Sequence, residues 1–378
     1  MEKISAVITM YNSEKFIIDT MKSLLNQSEK FDEIVIIDDK SADKSKKIVS
    51  EMAEKYKSIK LFFLDKNIGP SAARNFAINK VKNRWILFVD HDDMLDKNLV
   101  KNYSKIISVK QYKDISFIFP SFVQIDNEGN SISDKINYYK DICTNFTGDL
   151  FVRNPILSTT GVLINKEKLV QVNGFDDDLK YSQDWDLWLK LSMIGECIFD
   201  KNTEVFIRRH SNNTSRDIVG FLKDEQSIYN KYNIKFIFDK IMIREKDEYE
   251  NYIDFVTVLM KLNKLDNAYE VLQKVRVEDY RKYFLQGIIL YKKNDIKDAE
   301  IKFKKALELN PQDIASLNNI GCCKSLMLQY DEAVIYFEKA LNLNKSYMDA
   351  SYNISNVKEP KITERILRKI LTHYSTNK

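Results

Sequence analysis

The chain has 378 residues, 44% hydrophobic and 30% charged, enough for a sizeable core and more than a single core is expected to hold. Its 59 Lys and Arg stand against 55 Asp and Glu, a formal charge of +4, and this near balance asks for no polyanion-binding face, so nucleic acid is not an expected partner. Cys143, Cys197, Cys322 and Cys323 are too dispersed for a disulfide framework, and the adjacent pair has no partners at metal spacing, which points to a reducing compartment.

No apolar run reaches the length of a transmembrane segment, and the opening MEKISAVITMYN leads into a strand without the features of a signal peptide. The expected location is cytoplasmic, with peripheral contact at the inner face of the membrane as an alternative.

In chain order, Ile4 to Thr9 reads as a strand and Glu14 to Asn26 as a helix with Phe16, Ile17, Met21 and Leu24 on its apolar stripe. Glu33 to Asp38 is a second strand that ends in a polar cluster, Asp38 to Asp43, able to cap a helix over Ser45 to Tyr56. Ile59 to Leu64 is a third strand, and Gly69-Pro70-Ser71 turns into a helix from Ala72 to Val81. The stretch Arg84 to Asp93, RWILFVDHDD, then organises the rest. Its apolar half has the composition of a strand buried on both faces, and its carboxylates cannot be buried unpaired, so they require a cation. Alternating strands and helices at this spacing predict an α/β fold with a Rossmann-like, mostly parallel sheet, whose ligand sits outside the carboxyl ends of the strands. The first turn, TMYNSE, contains no glycine, which argues against a dinucleotide cofactor cradled there. Asp90 and Asp92 offer another way to hold a diphosphate, through a divalent metal.

Further on, a helix is expected over Leu95 to Lys110, a strand over Ile115 to Pro120, and a hairpin or long loop over Val123 to Asp149. Ser158 to Asn165 reads as a strand. Asp184 and Asp186 open a helix in which Leu187, Trp188 and Leu191 face the core, and Asp184 is either its cap or a chemical group. Cys197 to Phe206 is a late strand followed by Arg208, Arg209 and His210.

After about residue 215 the composition becomes helical. Gly287, Ala299, Phe303 and Ala306 recur as Gly321, Ala333, Phe337 and Ala340, each 34 residues later, which is the tetratricopeptide period. The expected organisation is a catalytic domain over 1–215, a helical linker over 216–248 and repeats over 249–358. Within the last, 280–313 and 314–347 are clear repeats preceded by a degenerate one, and 359–378 is expected as a capping helix (Ile362 to Thr372) and tail. Asn318, Asn319 and Tyr352 are expected on the concave surface, which suits a peptide, a protein partner or self-association.

The N-terminal part resembles the family 2 glycosyltransferases of the GT-A fold through several motifs in order: SAVITMYN at Ser5, EIVIIDDKSAD at Glu33, GPSAARN at Gly69, D-x-D-D at Asp90, and Gly174-Phe175-Asp176 followed by QDWDLW at Gln183. The resemblance implies that Tyr11 borders the nucleotide base, Asp39 accepts a hydrogen bond from it, and Arg74 and Asp90 help hold a nucleotide sugar. It implies Asp92 and His210 as ligands of Mn²⁺ or Mg²⁺, a UDP-sugar as donor, and Asp184 as the general base of an inverting transfer. Gln183 stands where the family usually has Glu, leaving Asp184 as the base candidate, and His91 is assigned no chemistry. The acceptor is expected to be a hydroxyl of a cell-surface or capsular glycan. The alternatives are a protein or peptide held by the repeats and, less favoured, a non-catalytic scaffold.

Overall fold

The computed structural model describes residues 2–109, 114–138, 144–210 and 217–364, which form two compact units dividing between Arg244 and Glu245. Unit 1 begins with β1 (Ile4–Met10), α1 (Ile17–Leu25), β2 (Glu33–Asp38), α2 (Ser45–Lys55), β3 (Ile59–Phe63), α3 (Pro70–Ile78) and β4 (Trp85–Asp90). It continues with β5 (Met94–Leu95), α4 (Leu99–Ser108), β6 (Ile115–Ile125), α5 (Phe146–Val152), β7 (Leu163–Asn165), α6 (Lys166–Gln171), α7 (Gln183–Ser192) and β8 (Glu196–Arg208). Two more helices, α8 (Ile218–Asn230) and α9 (Ile234–Met242), complete it.

The sheet has the order β3-β2-β1-β4-β7-β6-β8-β5. Its first four strands are all parallel, as the alternating strand and helix pattern predicts, and the apolar runs of β1, β2 and β4 are buried almost throughout. The register aligns Met10 with Asp38 and Thr9 with Asp90, so the polar residues that end these strands emerge on one edge. Beyond β4 the sheet is mixed, because β7 runs antiparallel to both β4 and β6.

Two strands differ from the sequence expectation. The strand expected over Ser158 to Asn165 contracts to Leu163–Asn165. Ser158 and Thr160 turn their hydroxyls to carboxylates of the neighbouring loop instead of joining the ladder. Strand β6, expected to stop at Pro120, continues to Ile125. Pro120 has no N–H to give the ladder, and the pairing with β8 shifts register between Pro120 and Ser121, where β8 bulges over Lys201 to Thr203. This bulge lets β8 run on to Arg208 beside β6. The stretch read as a hairpin or loop after Val123 does turn back on β6, through bridges Ile125↔Ser131 and Phe122↔Ile136, and then supplies α5.

The segment 216–248, expected as a linker, contributes α8 and α9, which belong to unit 1 by packing. Tyr229 stands edge-on to Trp185 and donates its hydroxyl to the Phe151 carbonyl at 2.5 Å.

Unit 2 consists of α10 (Glu248–Lys261), α11 (Leu265–Lys274), α12 (Tyr280–Lys292), α13 (Ile296–Leu309), α14 (Ile314–Leu326), α15 (Tyr330–Leu343) and α16 (Met348–Ser355). In each clear repeat a glycine lets two helices approach over a phenylalanine. A Cβ on Gly287 would lie 2.6 Å from the Phe303 ring, and one on Gly321 would lie 2.5 Å from Phe337. The stretch expected as a degenerate repeat forms α10 and α11. Its inter-helix turn places Asn263 at positive φ, as do Asn294 and Leu328 in the later repeats, at steps of 31 and 34 residues. The first of these steps is three residues shorter than the second, and Phe255, Ala268 and Leu272 are buried. Residues 361–364 are not helical, and the remainder of the expected capping helix lies outside the described residues. No helix among the described residues is long and apolar enough to cross a membrane.

Candidate active site

The parallel strands deliver their polar ends to one edge. After β1, Asn12 adopts a left-handed conformation, accepts from Ala42 N–H (2.9 Å) and donates its own N–H to Ser41 Oγ (2.9 Å), stitching the first two strand ends together. Tyr11, beside it, is 48% exposed, a free aromatic face at the rim. Asp39 is buried, and its two carboxylate oxygens accept the N–H groups of Ile68 (2.7 Å) and Gly69 (2.8 Å). In this state Asp39 fixes the turn that starts α3, with lone pairs left over for a further donor.

That turn sets the direction of α3 and therefore of Arg74. The Arg74 guanidinium is buried, lies 5.4 Å from the Phe175 ring centre and donates Nη2 to Asp90 Oδ1 at 2.7 Å. Its Nη1 is buried without a hydrogen-bond partner among the described residues. A buried guanidinium nitrogen lacking an acceptor is costly, so an anionic or carbonyl oxygen is the ligand this corner suits.

Asp90, Asp92 and Asp93 follow β4 and differ in environment. Asp90 accepts from Ser158 Oγ at 3.1 Å while its N–H donates to Thr160 Oγ1 at 2.9 Å. Asp93 is fully enclosed, accepting Thr160 Oγ1 (2.5 Å) and Arg208 N–H (2.9 Å). Burial, then the charges of Asp92 and Asp90, hold the Asp93 carboxyl well above the usual carboxylate range. Asp92 points elsewhere, with Oδ2 2.8 Å from His210 Nε2. Burial acts to raise Asp92, yet the bond to His210 and the neighbouring imidazoles outweigh it and bring its pKa below the usual value.

His210 arrives at the end of β8, and its ring stacks on Phe16 at 5.1 Å. Arg208 is not positioned as a phosphate ligand. It is buried, with Nε on the Asp92 carbonyl (2.9 Å) and Nη1 on the carbonyls of Asp126 and Asn127 (3.1 and 2.7 Å), so it braces the acidic loop. His91 gives its carbonyl to Thr20 Oγ1 (2.9 Å).

Asp184 sits in the first turn of α7 and accepts Trp185 N–H at 2.7 Å. Solvent still reaches part of this side chain, while protein encloses the remainder. Burial pushes its carboxyl up to about 6; the Trp185 N–H and Arg74 oppose the shift, and the Asp90 charge adds to it. The charges of both Arg74 and Asp90 thus act on Asp184. The helix does not use it as its N-cap. That position is Ser182, and the free N–H groups of Tyr181 and Ser182 are taken by Asp224 of α8 at 2.6 and 3.0 Å.

The structure thus pairs Arg74 with Asp90, whose charges both act on Asp184, and pairs Asp92 with His210 on the acidic loop. Tyr11 and Asp39 stand at the ends of the adjacent strands. Sequence reasoning missed Ser158 and Thr160, whose STTG context read as strand. It also missed Asp224 and Lys231; Lys231 binds Asp186 and Asp176, at 2.6 Å each, and anchors α7. Only the fold brings the last two to α7.

Among the described residues, no group of three or more His, Cys, Asp or Glu side chains is arranged to hold a metal. Two donors, a carboxylate oxygen and an imidazole nitrogen, do adjoin at Asp92 and His210. That set fits Mg²⁺ or Mn²⁺ when phosphate oxygens and water complete the shell, the usual manner of Mg²⁺ in phosphate sites.

Residues 5–169 match Glycosyl transferase family 2, and residues 280–313 and 314–347 each match Tetratricopeptide repeat. An uncharacterized glycosyltransferase of Rickettsia typhi (strain ATCC VR-144 / Wilmington) is 23% identical over 272 residues, covering 71% of this chain and 83% of its own. TuaG of Bacillus subtilis (strain 168), a glycosyltransferase provisionally assigned to teichuronic acid biosynthesis, is 26% identical over 199 residues, 53% of this chain and 75% of its own. The crystal structure of S. aureus TarS 1-349 in complex with UDP-GlcNAc shares the fold with a TM-score of 0.53 at 17% identity, covering 92% of this chain and 91% of that one. Asp184 and His210 lie beyond the matched residues 5–169. The N-terminal unit is a family 2 glycosyltransferase domain of the GT-A fold, and the chain that carries it continues into tetratricopeptide repeats.

Proposed function

We propose that unit 1 transfers a sugar, with inversion, from a UDP-linked donor to a hydroxyl of a cell-surface glycan. The observation that carries this reading is the Arg74–Asp90 pair, whose guanidinium has a nitrogen without a partner among the described residues, together with Asp184, a partly enclosed carboxyl of pKa about 6 on which the charges of both act. The UDP-GlcNAc in the S. aureus structure and the teichuronic acid assignment of TuaG support the donor and acceptor classes.

Asp184, ionised above its pKa, takes the proton of the acceptor hydroxyl as that oxygen bonds to the anomeric carbon. The bond from that carbon to the phosphate oxygen breaks on the opposite face, and its electron pair leaves with UDP. Arg74, held by Asp90 and the Phe175 ring, offers Nη1 to the donor. Asp92 and His210 would hold the divalent cation, which when bound offsets negative charge on the diphosphate. Tyr11 provides a face for the base, and Asp39 a lone pair for its N–H.

A transfer assay tests this. Purified chain, Mn²⁺ and a panel of UDP-sugars are incubated with cell-wall glycan fragments, and mass spectrometry and NMR read the added sugar and its anomeric configuration. A product of inverted configuration with one donor is expected. Retention of configuration overturns the base assignment, and transfer from none of the UDP donors overturns the donor class.

A further inference from the structure

The stretch that leads into α7 is held along its length by one face of α8. The contacts on α8 come from Asp217, Gly220, Phe221 and Asp224, at the i, i+3, i+4, i+7 spacing of a single helical face, and from Lys231 seven residues further on. Asp217 Oδ2 accepts the Tyr181 hydroxyl at 2.5 Å. Gly220 lies so close to the same ring that a Cβ there would stand 2.2 Å from it, and Phe221 packs on it with ring centres 5.3 Å apart. A single oxygen of Asp224, Oδ2, accepts the main-chain N–H groups of both Tyr181 (2.6 Å) and Ser182 (3.0 Å). Lys231 bonds Asp176 Oδ2 and Asp186 Oδ1, each at 2.6 Å.

These contacts fall on both sides of Asp184. Asp186, fully buried, meets Lys231 through one oxygen and Lys190 (3.0 Å) through the other. Trp185, whose N–H Asp184 accepts, has Tyr229 of α8 edge-on to its ring at 5.3 Å. The α8 groups named here therefore touch residues 181, 182, 185 and 186 and act on Asp184 only through them.

Asp224 is buried, so its two bonds are charge-assisted and shielded from water. Without its carboxylate, two N–H groups lose their acceptor two and three residues ahead of Asp184. A displacement of about 1 Å at a reacting group is worth on the order of 100-fold in rate.

We propose that Asp224 and Lys231 are positioning residues for the transfer. Asp224, through the main chain of Tyr181 and Ser182, and Lys231, through Asp186, fix the first turn of α7 and with it the aim of the Asp184 carboxyl at the acceptor hydroxyl. The proposal rests on Asp184 being the base.

The test is a double-mutant cycle in the transfer assay, with the UDP-sugar and glycan fragment that wild type uses. Asp224→Ala is expected to lower kcat at least about tenfold while UDP affinity, measured by calorimetry, changes less than about threefold. Asp224→Asn keeps a carbonyl oxygen for the same two N–H groups and is expected to stay within about threefold of wild type. In an Asp184→Asn background, Asp224→Ala is expected to change the residual rate less than about twofold, because it acts through Asp184. An equal loss in both backgrounds overturns the proposal, as does wild-type kcat for Asp224→Ala. Transfer by Asp184→Asn near the wild-type rate overturns the base reading instead.

Lys231→Gln alters a side chain that is 36% exposed and is the milder second variant, serving where Asp224→Ala does not fold. It is expected to lower kcat at least about threefold with UDP affinity kept, and an unchanged kcat overturns the proposal. Hydrogen exchange reads the positioning without substrate. Either variant is expected to speed exchange at the Trp185 and Asp186 amides, bonded to the Asp184 carboxylate and the Ser182 carbonyl, at least about tenfold while β1 and β2 stay unchanged. No acceleration in α7, or equal acceleration in the strands, overturns the proposal.

Discussion

Replacing Asp184 with Asn separates two consequences of one enclosed carboxyl. Its pKa is about 6, against 3.8 for an unperturbed Asp. Below about pH 4 the group is protonated in the folded and unfolded chain alike. Between about pH 4 and 6 the unfolded chain gives up the proton first, so stability falls as pH rises and the loss is complete above the folded value. A shift of about two units corresponds to about 3 kcal/mol, an upper bound because solvent reaches part of the side chain; 1–3 kcal/mol is the expected order. Asn never ionises. Asp184→Asn is therefore expected to match wild type at pH 4 and to exceed it at pH 8, raising the unit 1 melting transition by roughly 2–12 °C at about 2–4 °C per kcal/mol. The same substitution removes the base, and transfer is expected to fall by about 10²–10⁴-fold with donor affinity changed less than about threefold. Calorimetric scans at the two pH values, paired with a transfer assay, check both halves. A stability difference that does not depend on pH would sink the electrostatic reasoning, and transfer within about tenfold of wild type would sink the catalytic one.

For wild type, kcat/KM is expected to drop about tenfold for each unit below pH 6, because the base must be ionised, and a pH-rate profile would reveal it. Asp92→Ala is expected to remove the Mn²⁺-dependent part of UDP binding, measured by titration calorimetry with and without the metal; unchanged metal dependence would move the cation elsewhere. In the repeats, Gly321→Ala drives a methyl into the Phe337 ring and is expected to cost about 1–3 kcal/mol, seen as an earlier melt of unit 2. Leu328 is 73% exposed at a positive φ of 64°, so Leu328→Gly is expected to stabilise unit 2 by about 1 kcal/mol, and an unchanged melt would refute strain at that turn.

Several elements were legible because local chemistry decides them. The run EIVIID and the apolar run from Trp85 to Val89 have the composition of strands buried on both faces; β2 coincides with the expected Glu33 to Asp38, and β4 continues one residue past the apolar run, to Asp90. The repeats were legible for a related reason: a fixed period forces the same contact to recur, and Gly287 with Phe303 and Gly321 with Phe337 repeat it. The acidic run after β4 announced a site. Its internal division of labour could not be read, because Asp90, Asp92 and Asp93 differ only through Ser158, Thr160, Arg208 and His210, which lie about 65–120 residues away.

The sequence by itself determined the parallel half-sheet, the repeat period and the residues able to do chemistry, since hydrophobic spacing and residue type act over a few neighbours. Tertiary structure alone decided which of those residues meet. It brought Asp224 to Tyr181 and Ser182, gave Arg74 to Asp90, and spent Arg208 on carbonyls. In the repeats it laid Lys361 and Thr363 across Asn353 and Asn319. The physical reason is that a hydrogen bond or a pKa shift depends on distances of a few ångströms, and chain separation says nothing about those until the core has closed.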